Sequence, residues 1–246
     1  GLAFYDRLVD ALLEAGIDPW VTLFHWDFPL SLYHRGGWLN PASPQWFADY
    51  TTAVVERLSD RISNWFTLNE PQCFIHLGHS KGVHAPGVKL PPKQELLAAH
   101  HALLAHGRSV CAIRAAAKPP PRVGWAPVGT VCYPTHETPA CIAAAYRATM
   151  SVSSKGMDMG TFNNTWFSDP ALLGRYPEDG LALYDEHLPA CVRDADADLE
   201  VIHQPLDFYG VNIYRGQPVS VGPEGEPVVE QLPGDFPRTL IDWPVT

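Results

Sequence analysis

Apolar side chains recur at helical spacing at Leu2, Tyr5, Leu8, Val9, Leu12 and Leu13, so residues 2–15 read as an amphipathic helix stopped by Gly16. The run Ile17-Asp18-Pro19-Trp20-Val21-Thr22-Leu23-Phe24 is β-branched and aromatic with a proline near its start, which predicts a buried strand. The alternation then repeats. Ser43-Pro44 supplies a cap and a first-turn proline, and Phe47, Tyr50, Val54 and Leu58 make the apolar stripe of a second helix. Ile62 to Leu68 reads as a second strand. A third helix over 95–117 ends at Pro119-Pro120-Pro121, and Arg122-Val123-Gly124-Trp125-Ala126 predicts a third strand. Helices are expected over 139–152 and 179–187. Asp207-Phe208-Tyr209-Gly210-Val211-Asn212-Ile213 predicts a fourth strand. From Arg215 to Pro237 the chain is rich in glycine and proline, with one alternating piece, Pro218-Val219-Ser220-Val221, expected as a surface loop or small hairpin.

Helix and strand alternate four times, and the strands are apolar on both faces. That pattern implies an α/β fold with a parallel sheet and right-handed crossovers. No G-x-G-x-x-G follows a strand and no G-x-x-x-x-G-K-[ST] occurs, so the dinucleotide and P-loop folds lack their main signals. Roughly 20 loop residues follow Phe24 and roughly 25 follow Leu68, on the face where a (β/α)8 TIM-barrel carries its active site. A complete barrel takes about 250 residues. Here 246 residues are used on about four units, so the expectation is one partial barrel over 1–246.

Charge and cysteine usage narrow the function. With 27 acidic against 17 basic residues, the net charge of −10 repels phosphate backbones, so no nucleic-acid partner is expected. No run of 18 apolar residues exists, so no membrane span is expected. The five cysteines form no C-x-x-C pair, which argues against a zinc ribbon or disulfide scaffold and for a reducing, cytoplasmic location. His76, His79 and His84 lack an H-E-x-x-H arrangement, so no metal site is expected. His100, His101 and His106 read as surface or interface residues, and Asp194, Asp196 and Asp198 as a solvated acidic loop.

Polar chemistry gathers where strands end. His25, Trp26 and Asp27 follow the first strand, Asn69 and Glu70 the second, and Asn212 and Tyr214 close the fourth. In a parallel barrel such side chains converge on one mouth. Pro71 restricts Glu70 to extended backbone at that rim. Each residue also has a plain structural reading: Glu70 as a rim carboxylate in a salt bridge, His25 as a satisfied core histidine, Trp26 as core, Asn69 as a cap for the next turn.

Thr67-Leu68-Asn69-Glu70-Pro71 resembles the acid/base motif of glycoside hydrolase family one, the retaining β-glucosidases and their relatives. Further landmarks follow in family order. They are Val21 to Pro29 with its His25-Trp26, Gly36-Gly37-Trp38-Leu39-Asn40-Pro41, Gly82-Val83-His84-Ala85-Pro86-Gly87, Gly174-Arg175-Tyr176-Pro177, and Asp207 to Tyr214. The resemblance implies strands three to six of the barrel, a β-glycoside or oligosaccharide substrate, and no metal or organic cofactor. It casts Glu70 as general acid and then base. Asn69 would bind the sugar 2-hydroxyl, and His25 the 3-hydroxyl region with Trp26 beside it. Tyr214 would steady the nucleophile, Asn212 would lie near it, and Trp166 would line the aglycone side. A retaining enzyme needs a second carboxyl about 5–5.5 Å from the first. The family's I/V-T-E-N-G nucleophile motif does not occur in this sequence. The chain alone is therefore expected to be inactive, and to depend on the missing barrel segments or to self-associate. The competing reading is a non-catalytic half-barrel that binds sugars weakly or serves as an assembly piece.

Overall fold

The computed structural model describes residues 1–246 apart from the side chain of Lys155. The elements in order are α1 (Leu2–Glu14), β1 (Trp20–Phe24), α2 (Leu30–Tyr33), α3 (Ser43–Leu58), β2 (Asn64–Asn69), α4 (Pro92–Ala116), β3 (Arg122–Ala126), β4 (Val131–Pro134), α5 (Pro139–Met150), α6 (Thr165–Leu173), α7 (Glu178–Leu183), α8 (Ala190–Arg193), α9 (Asp196–Ile202), β5 (Gly216–Val221) and β6 (Pro227–Val229). A π-helical segment, Cys73–Ser80, directly follows the β2 end.

β1, β2 and β3 form a parallel sheet in that order, with Val21 opposite Trp65 and Trp65 opposite Val123. Trp65, Leu68, Val123 and Trp125 are fully buried, which explains the continuous apolar runs of strands covered by helices. The expected fourth strand is not a regular one. Residues 207–212 run beside β3 and donate from Asp207 N to Val123 O (2.8 Å), Gly210 N to Trp125 O (2.9 Å) and Asn212 N to Pro127 O (2.9 Å), but only Asn212 makes a bridge, to Val128. The carboxylate of Asp207 also accepts from Val123 N at 2.8 Å. Close approach here needs glycine: a Cβ on Gly124 would meet Phe208 O at 2.3 Å.

The Pro218–Val221 piece does make a hairpin, since β5 pairs antiparallel with β6, but it also pairs parallel with β4, which the sequence pattern gave no hint of. Burial corrects one further expectation, and helix formation another. His100, His101 and His106 are core residues of α4. His100 bonds to Tyr176 and Asp198, His101 to the Trp38 carbonyl, and His106 to Thr67 at 2.6 Å. α4 is packed against both α3 and α9, so it has no solvent face for them. Asp196 and Asp198 belong to α9, where they sit in the first turn and favour its N-terminus.

α1 is tied to α3 by ion pairs from Arg57 and Arg61 to Asp6 and from Arg61 to Asp10. Partly exposed pairs of this kind contribute little, roughly 0–1 kcal/mol each. Between α1, β1 and α3 lies a cavity of about 650 Å³ lined by Tyr5, Leu8, Trp20, Val21, Phe24 and Tyr50 among others. No described strand pairs with the outer edge of β1. Among the described residues, no helix is long and apolar enough to cross a membrane.

Candidate active site

The carboxyl ends of β1 and β2 carry strained backbone. Trp26 has φ +82° and Glu70 φ +46°, values uncommon for residues with a side chain. The extended geometry expected for Glu70 ahead of Pro71 is therefore not what the chain adopts. The parallel register slips between Phe66 and Asn69, Glu70 N still donates to Ala126 O at 2.8 Å, and Cys73 N donates to Glu70 O at 2.9 Å. A tight turn over Glu70-Pro71-Gln72-Cys73 thus follows the strand at once. Its side-chain bonds hold the strained residue in place.

Those bonds form one network. Asn212 Nδ2 donates to Glu70 Oε1 at 2.6 Å and to Asn69 Oδ1 at 3.0 Å. Tyr214 OH donates to Glu70 Oε1 at 3.3 Å. Asn69 Nδ2 donates to His25 Nε2 at 3.3 Å, and Trp26 Nε1 to the Asn69 carbonyl at 2.9 Å. Cys73 Sγ donates to Glu70 Oε2 at 3.2 Å. Glu70 and Asn69 are buried, Trp26 and Asn212 half-buried, and His25 and Tyr214 exposed. The result is a polar rim with a buried carboxylate at its floor. Among the described residues this bonded network holds one carboxylate, Glu70.

Burial pushes the Cys73 thiol well above its ordinary value, and the bond to Glu70 and its charge add to that, so the sulfur keeps its proton. The Tyr214 phenol is raised as well, by desolvation first and then by the charge of Glu70.

Six of the seven side chains expected at the site therefore meet at one sheet end. Tyr214 and Asn212 bond to Glu70. Trp166 is not among them. It is fully buried on α6, packed 4.8 Å from Tyr176 and 4.9 Å from Tyr184, and so lines no cleft. Its aromatic bulk is used in the core between α6 and α7. Two residues were missed. Cys73 had no signal beyond lying three positions after Glu70. His84 was weighed only as a metal ligand, yet its ring lies 5.4 Å from that of Trp26. Among the described residues no group of three or more His, Cys, Asp or Glu could hold a metal ion.

The glycosyl hydrolase family 1 model matches residues 1–231. The chain belongs to glycosyl hydrolase family 1. It is 36% identical over 252 residues to β-glucosidase A of Thermotoga maritima, covering all of this chain and 52% of that one. It is 39% identical over 250 residues to thermostable β-glucosidase B of Thermobispora bispora, covering 99% of this chain and 48% of that one. The solved structure of the Thermotoga maritima β-glucosidase in complex with glucoimidazole superposes with a TM-score of 0.81 at 34% identity, covering all of this chain and 52% of that one. The chain thus spans about half the length of the curated relatives it matches. In this family member the buried glutamate, the paired asparagines and the His-Trp rim stand together at the carboxyl ends of β1 and β2 and on the irregular run beside β3.

Proposed function

We propose that residues 1–246 are the central four β/α units, strands three to six, of one TIM-barrel domain in a retaining β-glucosidase that hydrolyses terminal β-D-glycosyl residues by double displacement. The observation that carries this reading is the buried carboxylate of Glu70, fixed at a strand end by Asn212, Tyr214 and Cys73 beside the Asn69–His25 pair. In the first step Glu70 gives its proton to the leaving oxygen; in the second, as carboxylate, it takes one from the attacking water. Asn69 and His25, linked side chain to side chain, bind adjacent hydroxyls of the glycone, and Trp26 forms the wall beside them. Tyr214, whose hydroxyl reaches Glu70 Oε1 here, steadies the nucleophile.

The second carboxylate comes from outside residues 1–246, so this chain by itself is inactive toward β-glucosides. The free thiols of Cys73, Cys111, Cys141 and Cys191 accord with a cytoplasmic location. The test uses a chromogenic aryl β-glucoside with the chain alone and with the chain mixed with the complementary segments of the Thermotoga maritima relative. Release of the chromophore is expected in the mixture only, and is lost with Glu70→Gln. Glucoimidazole binding without turnover in either sample would favour the half-barrel as a sugar-binding piece.

A further inference from the structure

Each oxygen of Glu70 has a different kind of partner. Oε1 faces Asn212 Nδ2 at 2.6 Å and Tyr214 OH at 3.3 Å; Oε2 faces Cys73 Sγ at 3.2 Å. The orientation of the Asn212 amide is settled by its neighbours. Its nitrogen lies between a carboxylate oxygen and Asn69 Oδ1, and turning the amide over would set three acceptor oxygens against one another. An amide N–H donates in every protonation state. Oε1 is therefore held as an acceptor whether Glu70 is ionised or neutral. A thiol is different, because it can donate weakly through S–H or accept weakly at sulfur by rotating about Cβ–Sγ.

We propose that Cys73 is a positioning residue for the acid/base: with Asn212 holding Oε1, the thiol partners Oε2 in both states, so that the transferable proton is carried on Oε2. The inference rests on the reading of Glu70 as acid/base. When Glu70 is ionised, S–H donates to Oε2. When Glu70 is neutral, the proton sits on Oε2 and the S–H swings away, leaving sulfur as the weak acceptor beside it. Transfer of that proton to a leaving oxygen breaks the Oε2–H bond, forms the new O–H bond and returns the electron pair to Oε2. The thiol then rotates back to donate. Cys73 keeps its own proton throughout, in line with a thiol whose ionisation is opposed by burial and by the adjacent carboxylate. The geometry is built into the backbone. The Cys73 N–H bond to the Glu70 carbonyl closes the turn that folds the thiol under the carboxylate.

The test reads the thiol directly, in this chain and without catalysis. Infrared spectra are recorded in the S–H stretching region from neutral pH down to the limit at which near-ultraviolet circular dichroism stays native. The band lost in Cys73→Ala identifies this thiol among the five. At neutral pH it is expected at the low-frequency, hydrogen-bonded end of the range. On protonation of Glu70 it is expected to move to higher frequency. In Glu70→Gln it should stay at one position across the same pH range. Cys73→Ser supplies a second check: the carboxylic C=O band that Glu70→Gln removes should persist in the serine variant and shift in the alanine variant. A Cys73 band that ignores pH, or that moves equally in Glu70→Gln, overturns the proposal. Failure of the mixture with the complementary segments to release the chromophore, with an intact band shift, would instead overturn the glycosidase reading and leave the thiol–carboxylate pair standing.

Discussion

Glu70 and Tyr214 show how much one carboxylate governs at this sheet end. The phenol is raised by desolvation, by the negative charge of Glu70 and by donation to it. Glu70→Gln removes the charge and weakens the bond but leaves the partial desolvation. The Tyr214 phenolate should then form at lower pH than in the unmodified chain. Ultraviolet phenolate titration, with Tyr214→Phe to assign the transition, checks the direction; an unchanged or higher midpoint would show that the two side chains do not interact in solution. The sequence made Glu70, Asn69, Asn212 and Tyr214 legible because each ends an apolar run, and a parallel sheet sends all such ends the same way. It could not make Cys73 legible. Its place depends on a turn at φ +46°, which the proline rule argues against and which only the surrounding bonds enforce. Trp166 failed for the opposite reason. The resemblance alone puts Trp166 on the aglycone side, and no local pattern shows that it packs against Tyr176 and Tyr184 instead.

At the scale of elements, α4 carries the clearest consequence. His106 is fully buried between Thr67 and the ring of Trp125, and burial drives its pKa down to about 3. His100 and His101 are lowered too; burial outweighs the partner Asp198 of His100 and the Trp38 carbonyl at His101. The unfolded chain takes up these protons near pH 6.5, whereas folded His106 does not until about pH 3. The unfolded state therefore binds more protons across that window, and stability falls as pH is lowered through it. The slope is about 1.4 kcal/mol per pH unit for each histidine kept neutral. Urea midpoints at successive pH values should reveal this, and His106→Asn should flatten the slope whatever it does to stability at pH 7. A slope unaltered in that variant would remove His106 from the account. The amphipathic helices were legible from their periodicity, but α4, buried on most sides, has little polar face to separate a core histidine from a surface one. The 207–212 run was legible as a neighbour of β3 and not as an irregular one. Its register depends on Gly124, where a Cβ would collide with Phe208. Gly124→Ala should push the run away, cost about 1–3 kcal/mol as overpacking does, and speed amide exchange at Gly210 and Asn212. Unaltered exchange at both amides would mean the run is held by Asp207 alone.

Across the whole molecule, the order of family landmarks was legible because each is a short local pattern. What lies open was also foreseeable from a sheet of few strands. Among the described residues β1 pairs only with β2, and beside it the cavity of about 650 Å³ between α1, β1 and α3 is lined largely by apolar side chains. Leu2, Tyr5, Leu8 and Trp20 on that side are 39–55% exposed, and Tyr209, Val211 and Ile213 are 42–47% exposed along the 207–213 run. Exposed strand edges offer unpaired N–H and C=O groups, and continuous apolar surface adds a favourable term of about 25 cal/mol per Å² covered. Burial of that surface between copies should outweigh the entropy of association at micromolar concentration, whereas the net charge of −10 opposes it weakly and less at higher salt. The expected result is concentration-dependent self-association in sedimentation velocity, strengthened by added salt. Tyr5→Glu with Leu8→Glu places two charges on the exposed wall of the cavity, where they cost little folding stability, and should shift the distribution toward monomer at every concentration. A wild-type chain that sediments as one monomer from dilute to concentrated solution, at low and high salt, would show that the open side is tolerated by the isolated chain and would sink the idea.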